Sequence, residues 1–147
     1  MEHRLIVTFD PRVALISSDG ESLAQLAAIA DLLAPIGIVC ESFLVDNITN
    51  ELVSRIANST IQVIIVGLGS ELNLPRQIAD QVTQPVVAIL TTSGICQPAY
   101  FEALQSGRPH APVAVVSSQD FVAAAKFAAR IVALDDPLVH SSLEELL

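Results

Sequence analysis

The sequence predicts an α/β fold in which a parallel sheet carries helices on both faces. Two observations lead to this prediction. Short apolar runs alternate along the chain with segments that repeat apolar residues at helical spacing, which is typical of strand–helix–strand crossover units. The apolar runs are also apolar at almost every position, as strands buried on both faces are. The length of 147 residues fits one domain of ordinary size.

Turn and capping residues separate the predicted elements. Strands are predicted over residues 13–17, 38–45, 62–66, 86–90 and 113–117. Helices are predicted over residues 23–34, 50–57, 75–82, 97–105 and 119–134, with a short terminal helix over 141–147. Pro35 and Gly37 end the first helix, and Thr49 or Asn50 caps the second. Pro75 fits the first turn of the third helix, where its missing N–H is not needed.

The chain divides into a core domain and two short ends. We expect an N-terminal arm over residues 1–11, the α/β domain over 12–134 and a C-terminal tail or helix over 135–147. The opening residues lack the basic region, long apolar core and cleavage site of a signal peptide. The longest apolar stretch, residues 23–39, is interrupted by Asp31 and Pro35, so it does not predict a membrane span. We therefore expect a cytoplasmic protein.

Charge and hydrophobicity limit the classes of partner that the chain can bind. The chain has 7 basic and 16 acidic residues and a net charge of −9, which argues against nucleic acid and anionic membranes as partners. It is also 52% hydrophobic, and an apolar surface of that extent is often covered in a homo-oligomer. Cys40 and Cys96 are far apart and make no metal-binding motif. We interpret both as structural thiols, with Cys40 buried in the core, and predict neither a metal nor a cofactor.

Polar side chains follow the predicted strands, at the edge where ligands bind in parallel sheets. We define this set as the strand-end rim and expect it to bind a small polar ligand. Its members are Ser17, Ser18, Asp19, Ser22, Asp46, Asn47, Gly67, Gly69, Ser70, Asn73, Arg76, Thr92 and Ser93. Thr91 and Gln119 lie at the same edge. The rim is rich in hydroxyls and amides and contains no histidine, lysine or cysteine, which suits an uncharged polar ligand.

Each candidate binding feature of the rim also has a structural interpretation. The loop after the first strand resembles a phosphate cradle at a helix N-terminus, but Asp19 and Glu21 oppose a phosphate, and an Asp at that place is also a preferred helix cap. Gly67 and Gly69 fit either a tight turn or a binding loop. Arg76 fits either a solvated surface arginine or a bidentate anion ligand.

The histidines and the C-terminal third suggest subunit contacts. His3, His110 and His140 lie away from any predicted nucleophile or carboxylate pair, so we interpret them as surface residues and identify no catalytic residue. Contacts between subunits could still bring His110 or His140 into a neighbour's site. The Ala-rich segment 122–134 has small residues on more than one face, which favours an oligomer core over a simple domain core.

One stretch of the chain resembles a known family. Residues 63–75, VIIVGLGSELNLP, are similar to the sequence V-I-I-A-G-A-G-G-A-A-H-L-P-G of the carboxyaminoimidazole ribonucleotide mutase family of purine biosynthesis, whose members include the carboxylase catalytic subunits. Residues 84–89 and 112–134 are similar to later segments of the same family. The resemblance implies a three-layer α/β/α sandwich with a flavodoxin-like sheet. It also implies assembly, commonly as an octamer, with active sites at subunit junctions and the Ala-rich helix at an oligomer interface.

The chain departs from this family at the residues that carry its chemistry. The family's first loop reads G-S-x-S-D, and residues 18–22 read SDGES here. The second loop reads S-A-H-R-T-P, and a gapless register places Ile48 and Thr49 at its histidine and arginine. Asn73 stands in place of the histidine of the third loop, and Arg76 in place of its last glycine.

Three functional hypotheses follow from the resemblance and the departures. The first is a divergent member without mutase or carboxylase activity that serves as an oligomeric small-ligand-binding protein. The second is an enzyme of the same type with altered residues or substrate, in which Asp19, Asp46, Glu71 or Asp120 is the acid–base group if it is buried.

The third hypothesis is a scaffold or regulatory partner of an active relative. Its basis is the acidic C-terminal segment, in which Leu143, Leu146 and Leu147 could anchor a docking helix. The structural alternative is a helix that folds onto its own subunit.

Overall fold

A computed structural model of the chain describes residues 10–69, 71–91 and 112–146. Its elements are, in chain order, β1 (Val13–Ser17), α1 (Gly20–Leu33), a 3-10 turn (Ala34–Ile36), β2 (Cys40–Leu44), α2 (Asn50–Ala57), β3 (Val63–Leu68), α3 (Leu74–Ala79), β4 (Val86–Leu90), β5 (Ala114–Val115), α4 (Phe121–Ala133) and α5 (Pro137–Leu146). The predicted helix over residues 97–105 lies outside the described residues.

All five strands form one parallel sheet in the order β2-β1-β3-β4-β5. This is the flavodoxin-like order, in which the chain reverses its direction of travel across the sheet between β1 and β3. The prediction of a parallel α/β sheet is therefore confirmed. β5 contains only two paired residues, fewer than the five that the sequence predicts.

Two apolar cores lie on opposite faces of the sheet. One joins alternate residues of β1, β3 and β4, such as Leu15 and Ile65, to α1, α4 and α5. The other joins the intervening residues, such as Ile16 and Val66, to α2 and α3. Since successive strand side chains point to opposite faces, a continuous apolar strand sequence is what two helical layers require. The result is a three-layer α/β/α sandwich.

Helix α1 begins three residues earlier than the sequence predicts. Asp19 is its N-cap, and the Asp19 side chain accepts a hydrogen bond from the Glu21 N–H. Gly20, a weak helix former, is tolerated because it occupies the first turn. The helix passes into the 3-10 turn and ends at Gly37, whose φ of 84° is left-handed and is readily adopted only by glycine.

Cys40 begins the edge strand β2 and is partly buried against the first core. Burial raises the pKa of the Cys40 thiol to about 11, because the thiolate is poorly solvated there. The prediction of a structural thiol therefore fits, although full burial was wrong because an edge strand is covered on one side only.

Helix α4 contributes its small residues to its own domain. Ala124, Ala125, Ala128 and Ala129 are buried in the first core, where they let α4 pack closely on α1. The opposite face is not apolar throughout, since Lys126 and Arg130 are exposed there. The expectation that the alanines form an oligomer core is therefore wrong for these four residues.

Helix α5 folds onto its own subunit. Val139 is 2% exposed and Leu143 is 8% exposed, and both belong to the first core. Leu143 is therefore a domain contact and not a docking anchor. The helix begins at Pro137, four residues earlier than predicted, because Asp136 accepts hydrogen bonds from the N–H groups of Leu138 and Val139 at 3.0 and 3.1 Å.

A polar network ties α5 to the amino ends of β1 and β3. Arg12 Nη1 lies 3.2 Å from Asp136 Oδ2, and Arg12 Nε donates to Gln62 Oε1 at 2.8 Å. Gln62 Nε2 in turn donates to Asp135 Oδ2 at 3.1 Å. The network fixes the turn between α4 and α5 at the edge of the sheet opposite to the strand-end rim. None of the described helices combines the length and apolarity that a membrane crossing requires.

The Asp136 cap predicts a pH-dependent contribution to stability. Hydrogen bonds from the N–H groups of Val139 and Leu138, together with Arg12, hold the pKa of the Asp136 carboxyl below its ordinary value. A carboxyl whose pKa is lower in the folded state stabilises the protein at pH values above its unfolded-state pKa of about 3.9. This contribution is lost as the pH falls through the folded-state pKa. Asp136→Ala should cost about 1 kcal/mol near pH 7.

The matched comparison is Asp136→Asn, which keeps one oxygen for the cap and removes the charge together with the acceptor for Arg12. Urea denaturation from about pH 2 to about pH 8, which spans the ordinary titration range of carboxyl groups, should show the stability difference between wild type and Asp136→Asn closing at acidic pH. A gap that stays constant down to the lowest pH would contradict a charge-based contribution.

Candidate functional site

The candidate site lies where the loops after β1 and β3 separate. These strands are neighbours, with Ile16 paired to Val66, but α1 leads from β1 to β2 on one side, whereas β3 leads through α3 to β4 on the other. Such a switch point leaves a crevice beyond the carboxyl ends of the strands. The strand-end rim was predicted at this edge, and its described residues after β1 and β3 lie in contact.

Ser17 closes the end of β1 onto β3. Its side chain is fully buried, and Ser17 Oγ donates to the Gly67 carbonyl at 2.9 Å. Gly67 lies inside β3, where an added Cβ would come within 2.9 Å of Leu26 Cδ1 on α1. Gly67 therefore makes room for a helix, and it belongs to neither a tight turn nor a binding loop.

Gly69 brings the loop after β3 against the first turn of α1. A Cβ at Gly69 would lie 2.6 Å from Asp19 Oδ2 and 2.7 Å from Ser22 Oγ, and a Cβ atom is essentially never found so close to another heavy atom. Asp19 Oδ1 caps α1, so the capping interpretation of Asp19 is confirmed. Its second oxygen, Oδ2, faces the backbone of Gly69.

Thr91, the first residue after β4, joins three elements at the centre of the rim. Thr91 Oγ1 donates to the Leu68 carbonyl of β3 at 2.8 Å. Its proton is therefore committed, so Ser22 Oγ on α1, which lies 2.6 Å from Thr91 Oγ1, is the donor in that hydrogen bond. Thr91 and Ser22 are both fully buried. Their hydroxyls hold α1 and β4 to the end of β3.

Gln119 ties the loop before α4 to the same junction. Its N–H donates to the Leu90 carbonyl at 2.8 Å, and its side-chain Nε2 donates to the Thr91 carbonyl at 3.3 Å. Its φ of 59° makes Gln119 the only described non-glycine residue with a left-handed backbone. The sequence places Thr91 and Gln119 at this edge, after β4 and β5, but no local pattern indicates their hydrogen bonds across the junction.

In the second loop, between β2 and α2, Ile48 and Thr49 stand where the family resemblance implies a histidine and an arginine, and both have structural roles. Ile48 is partly buried and packs against the second core. Thr49 Oγ1 accepts a hydrogen bond from the Leu52 N–H at 3.1 Å and so caps α2. Asp46 and Asn47, which precede them, are exposed.

The third loop ends in α3. Asn73 is exposed and is the N-cap residue of α3, but its side chain makes no capping hydrogen bond. Its N–H donates to Glu71 Oε1 at 3.0 Å. Arg76, in the first turn, is only 9% exposed, so its interpretation as a solvated surface arginine is wrong. Its helix neighbours Leu74, Pro75, Ile78 and Ala79 are buried as well.

The carboxylates proposed as acid–base groups are mostly on the surface. Asp46, Glu71 and Asp120 are exposed, and Asp120 Oδ1 is engaged as the cap of α4 through the Ala123 N–H at 2.9 Å. Asp19 is partly buried. The burial that this hypothesis requires is therefore absent at three of its four candidates.

Some predicted site residues lie outside the described part of the chain. They are Ser70, Thr92 and Ser93 of the rim, together with Cys96, His3 and His110. His140 is described, and its Nε2 pairs on the surface with Glu144 Oε1 one turn later on α5. Across the described ranges, no group of three or more His, Cys, Asp or Glu side chains could hold a metal ion.

Comparison with known proteins identifies the family to which this site belongs. The family model described as AIR carboxylase matches residues 12–146, nearly the whole chain. The chain belongs to the AIR carboxylase family. None of the curated proteins matches it at a significant level.

Two solved structures share the fold of this AIR carboxylase family chain. The structure of a single-substitution variant of Treponema denticola PurE2 has a TM-score of 0.78 and 20% sequence identity, covering 93% of this chain and 89% of that one. The structure of Treponema denticola PurE has a TM-score of 0.75 and 20% identity, covering 92% and 89% respectively. At this identity the likeness establishes the fold alone.

The junction at Thr91 generates a stability prediction for this family member. Thr91→Val removes the hydroxyl and leaves the buried Ser22 Oγ without its acceptor, so we expect a loss of about 1–3 kcal/mol of unfolding free energy. Ser22→Ala should also destabilise the protein. In the double variant both partners are gone, so its loss should be smaller than the sum of the single losses by roughly 1 kcal/mol.

Chemical denaturation of the four proteins measures this coupling. Ser54→Ala combined with Thr91→Val is a suitable control, because Ser54 is exposed on α2 and away from the junction. Additive losses for Ser22→Ala and Thr91→Val would show that the hydroxyl pair does not hold α1 to β4.

Proposed function

We propose that this AIR carboxylase family member lacks the mutase and carboxylase reactions and binds a small uncharged polar ligand at the strand-end rim. We also propose that it works as a homo-oligomer, for which the resemblance to the mutase family suggests an octamer. The proposal concerns the rim at the β1–β3 switch point, where a parallel sheet of this order binds its ligands.

The observation that carries the proposal is the role of Ile48 and Thr49. In the register of the mutase family, these positions hold the histidine that transfers a proton and the arginine that pairs with the substrate. Here the Ile48 side chain packs against the second core, and the Thr49 hydroxyl caps α2. A packed aliphatic side chain cannot transfer a proton, and a capping hydroxyl cannot neutralise a phosphate.

The remaining rim side chains support an uncharged ligand. Ser17 and Ser22 of the rim, and Thr91 beside it, already donate their hydroxyl protons within the protein. Ser18, Asn47 and Asn73 have no hydrogen bond from their side chains to the other described residues and offer amide and hydroxyl groups. Asp19 adds a negative charge at the N-terminus of α1, which opposes a phosphate at the place where an anion would otherwise bind.

The second hypothesis, an enzyme with altered residues, depends on a carboxylate acting as the acid–base group. Asp19 is the best of the four candidates, since it is partly buried and its Oδ2 faces the Gly69 backbone. The scaffold hypothesis has less support, because Leu143 is buried within its own subunit.

Turnover of carboxyaminoimidazole ribonucleotide tests the first part of the proposal. We expect a rate lower than that of an active family member by a factor of roughly 10² to 10⁴ for each lost proton-transfer group. Both proteins should be assayed under the same conditions, with a thermal melt to show that each is folded. A rate within about tenfold of the active member would refute the proposal, and turnover of an altered substrate alone would favour the second hypothesis.

A thermal-shift screen of uncharged polar metabolites, with phosphorylated sugars and nucleotides alongside, tests the ligand class. An uncharged compound should raise the melting temperature, because a ligand that binds only the folded state stabilises it. Asn73→Ala should abolish that shift without lowering the stability of the free protein, since the Asn73 side chain makes no cap.

The matched control is Gln77→Ala, since Gln77 is exposed in the middle of α3, and it should keep the full shift. If only phosphorylated compounds stabilise the protein, or if Asn73→Ala and Gln77→Ala respond alike, the proposed ligand class or its site is wrong.

A further inference from the structure

A groove with an apolar floor and charged edges lies between α1, α4 and α5. Its volume is about 440 Å³, which is in the range of pockets that bind small molecules. Leu32 near the end of α1 is 43% exposed, Val122 in the first turn of α4 is 50% exposed, and both line the groove. Since the groove shares no residue with the strand-end rim, it is a separate candidate site.

The floor of the groove is entirely aliphatic. Its buried lining residues are Leu33, Ile36, Ala125, Ala129 and Leu143. The two alanines have short side chains, which leaves space open above α4. Because such a floor offers no side-chain hydrogen-bonding group, the part of a ligand that fits it is an apolar side chain.

Two opposite charges line this groove without meeting. Lys126 on α4 and Glu145 on α5 are both exposed and both line it. Within the described ranges, neither of them forms an ion pair, with each other or with any other residue. A small ligand that carries a carboxylate and a cation can therefore satisfy both residues at once.

The end of α5 favours a cation at its side of the groove. Glu144 and Glu145 occupy the last turn, which contains no basic residue. The C-terminal end of a helix carries a partial negative charge and is stabilised by cations. His140 pairs with Glu144, but the described part of the chain supplies no cation to Glu145.

The charge of the chain favours a ligand without net charge. A simple fatty carboxylate would pair with Lys126, but it would also approach Glu145 in a chain whose net charge is −9, which repels anions. A zwitterion avoids this repulsion, because its cation lies on the side of Glu145. The floor and the two charges together match the groups of an apolar amino acid.

We propose that this groove binds a free α-amino acid with an apolar side chain. The ligand carboxylate pairs with Lys126, and the ligand ammonium pairs with Glu145 at the end of α5. The ligand side chain lies on the aliphatic floor, beside Leu32 and Val122. This inference does not depend on the function proposed for the rim, so either can fail alone.

Isothermal titration of the full-length protein with L-leucine tests the ligand class. We expect saturable binding at one site per chain. L-Leucine amide lacks the carboxylate and N-acetyl-L-leucine lacks the ammonium, so each should bind about fivefold more weakly. Glycine lacks the apolar side chain and should bind at least about tenfold more weakly.

Variants at the two charged residues test the site itself. Lys126→Gln should weaken L-leucine binding about fivefold and no longer distinguish L-leucine from its amide. Glu145→Gln should have a similar effect on affinity and no longer distinguish L-leucine from N-acetyl-L-leucine. The matched controls are Arg130→Gln and Glu144→Gln, since these residues line a neighbouring groove, and both should keep the wild-type affinity and selectivity.

Several results would overturn the inference. Absence of saturable L-leucine binding up to about 10 mM would refute it outright, provided that circular dichroism shows a folded protein. N-acetyl-L-leucine binding as tightly as L-leucine would make the ligand a simple carboxylate. Binding that Lys126→Gln and Glu145→Gln leave unchanged would place the site elsewhere.

Sedimentation velocity of Val122→Ser tests whether a protein surface covers the groove instead. The variant should weaken L-leucine binding and keep the oligomeric state of the wild type, because the proposed occupant is a small molecule. If Val122→Ser dissociates an oligomer while Leu44→Ser, at an exposed residue of β2, does not, the groove is occupied by a second copy of the chain and the inference is wrong.

Discussion

The close approach of α1 to β3 is the constraint on which the rest of the structure depends. Neither Gly67 nor Gly69 carries a side chain at this contact, and a single added carbon at either position would lie within 3 Å of α1 atoms or of its cap. Because α1 can lie so near the strand, Ser22 reaches Thr91, and Thr91 reaches the end of β3. The first turn of α1, the switch point and the end of β4 are therefore one packed unit.

This arrangement separates the architecture of the family from its chemistry. The glycines and the buried hydroxyls shape the crevice and need no ionisable group to do so. The second loop can accordingly accept Ile48 in the core and Thr49 as a helix cap while the crevice keeps its outline. The match over residues 12–146 establishes membership of the AIR carboxylase family, and the scaffold described above is what the chain shares with the solved structures of that fold.

Sequence reasoning succeeded where a local pattern determines the structure. The bounds of β1 and β4 coincide with the prediction, because both are uninterrupted apolar runs flanked by turn residues or proline. It failed where the deciding partner is distant. The start of α5 depends on Asp136, whose charge is held by Arg12 from the other end of the chain, so the helix was predicted four residues too late.

The same distinction applies to the site. The loops that carry the rim could be named from strand ends alone, since parallel strands present their carboxyl ends at one edge. The sequence could not show which rim hydroxyls are used in internal hydrogen bonds and which face solvent. The partners Ser22 and Thr91, for example, are 69 residues apart. The burial of Arg76 was missed for a related reason: Arg76 was predicted to lie in the first turn of the third helix, but the local sequence does not show which side chains of that helix become buried.

The left-handed backbone of Gln119 has an energetic consequence for the loop before α4. A side chain in that conformation costs on the order of 1 kcal/mol relative to glycine, and this cost is offset only while the amide hydrogen bonds to Leu90 and Thr91 persist. Because local opening relieves this strain, the strain reduces the net free energy needed to break those two hydrogen bonds. The corner should therefore open, and exchange its amide protons, sooner than the strands it joins.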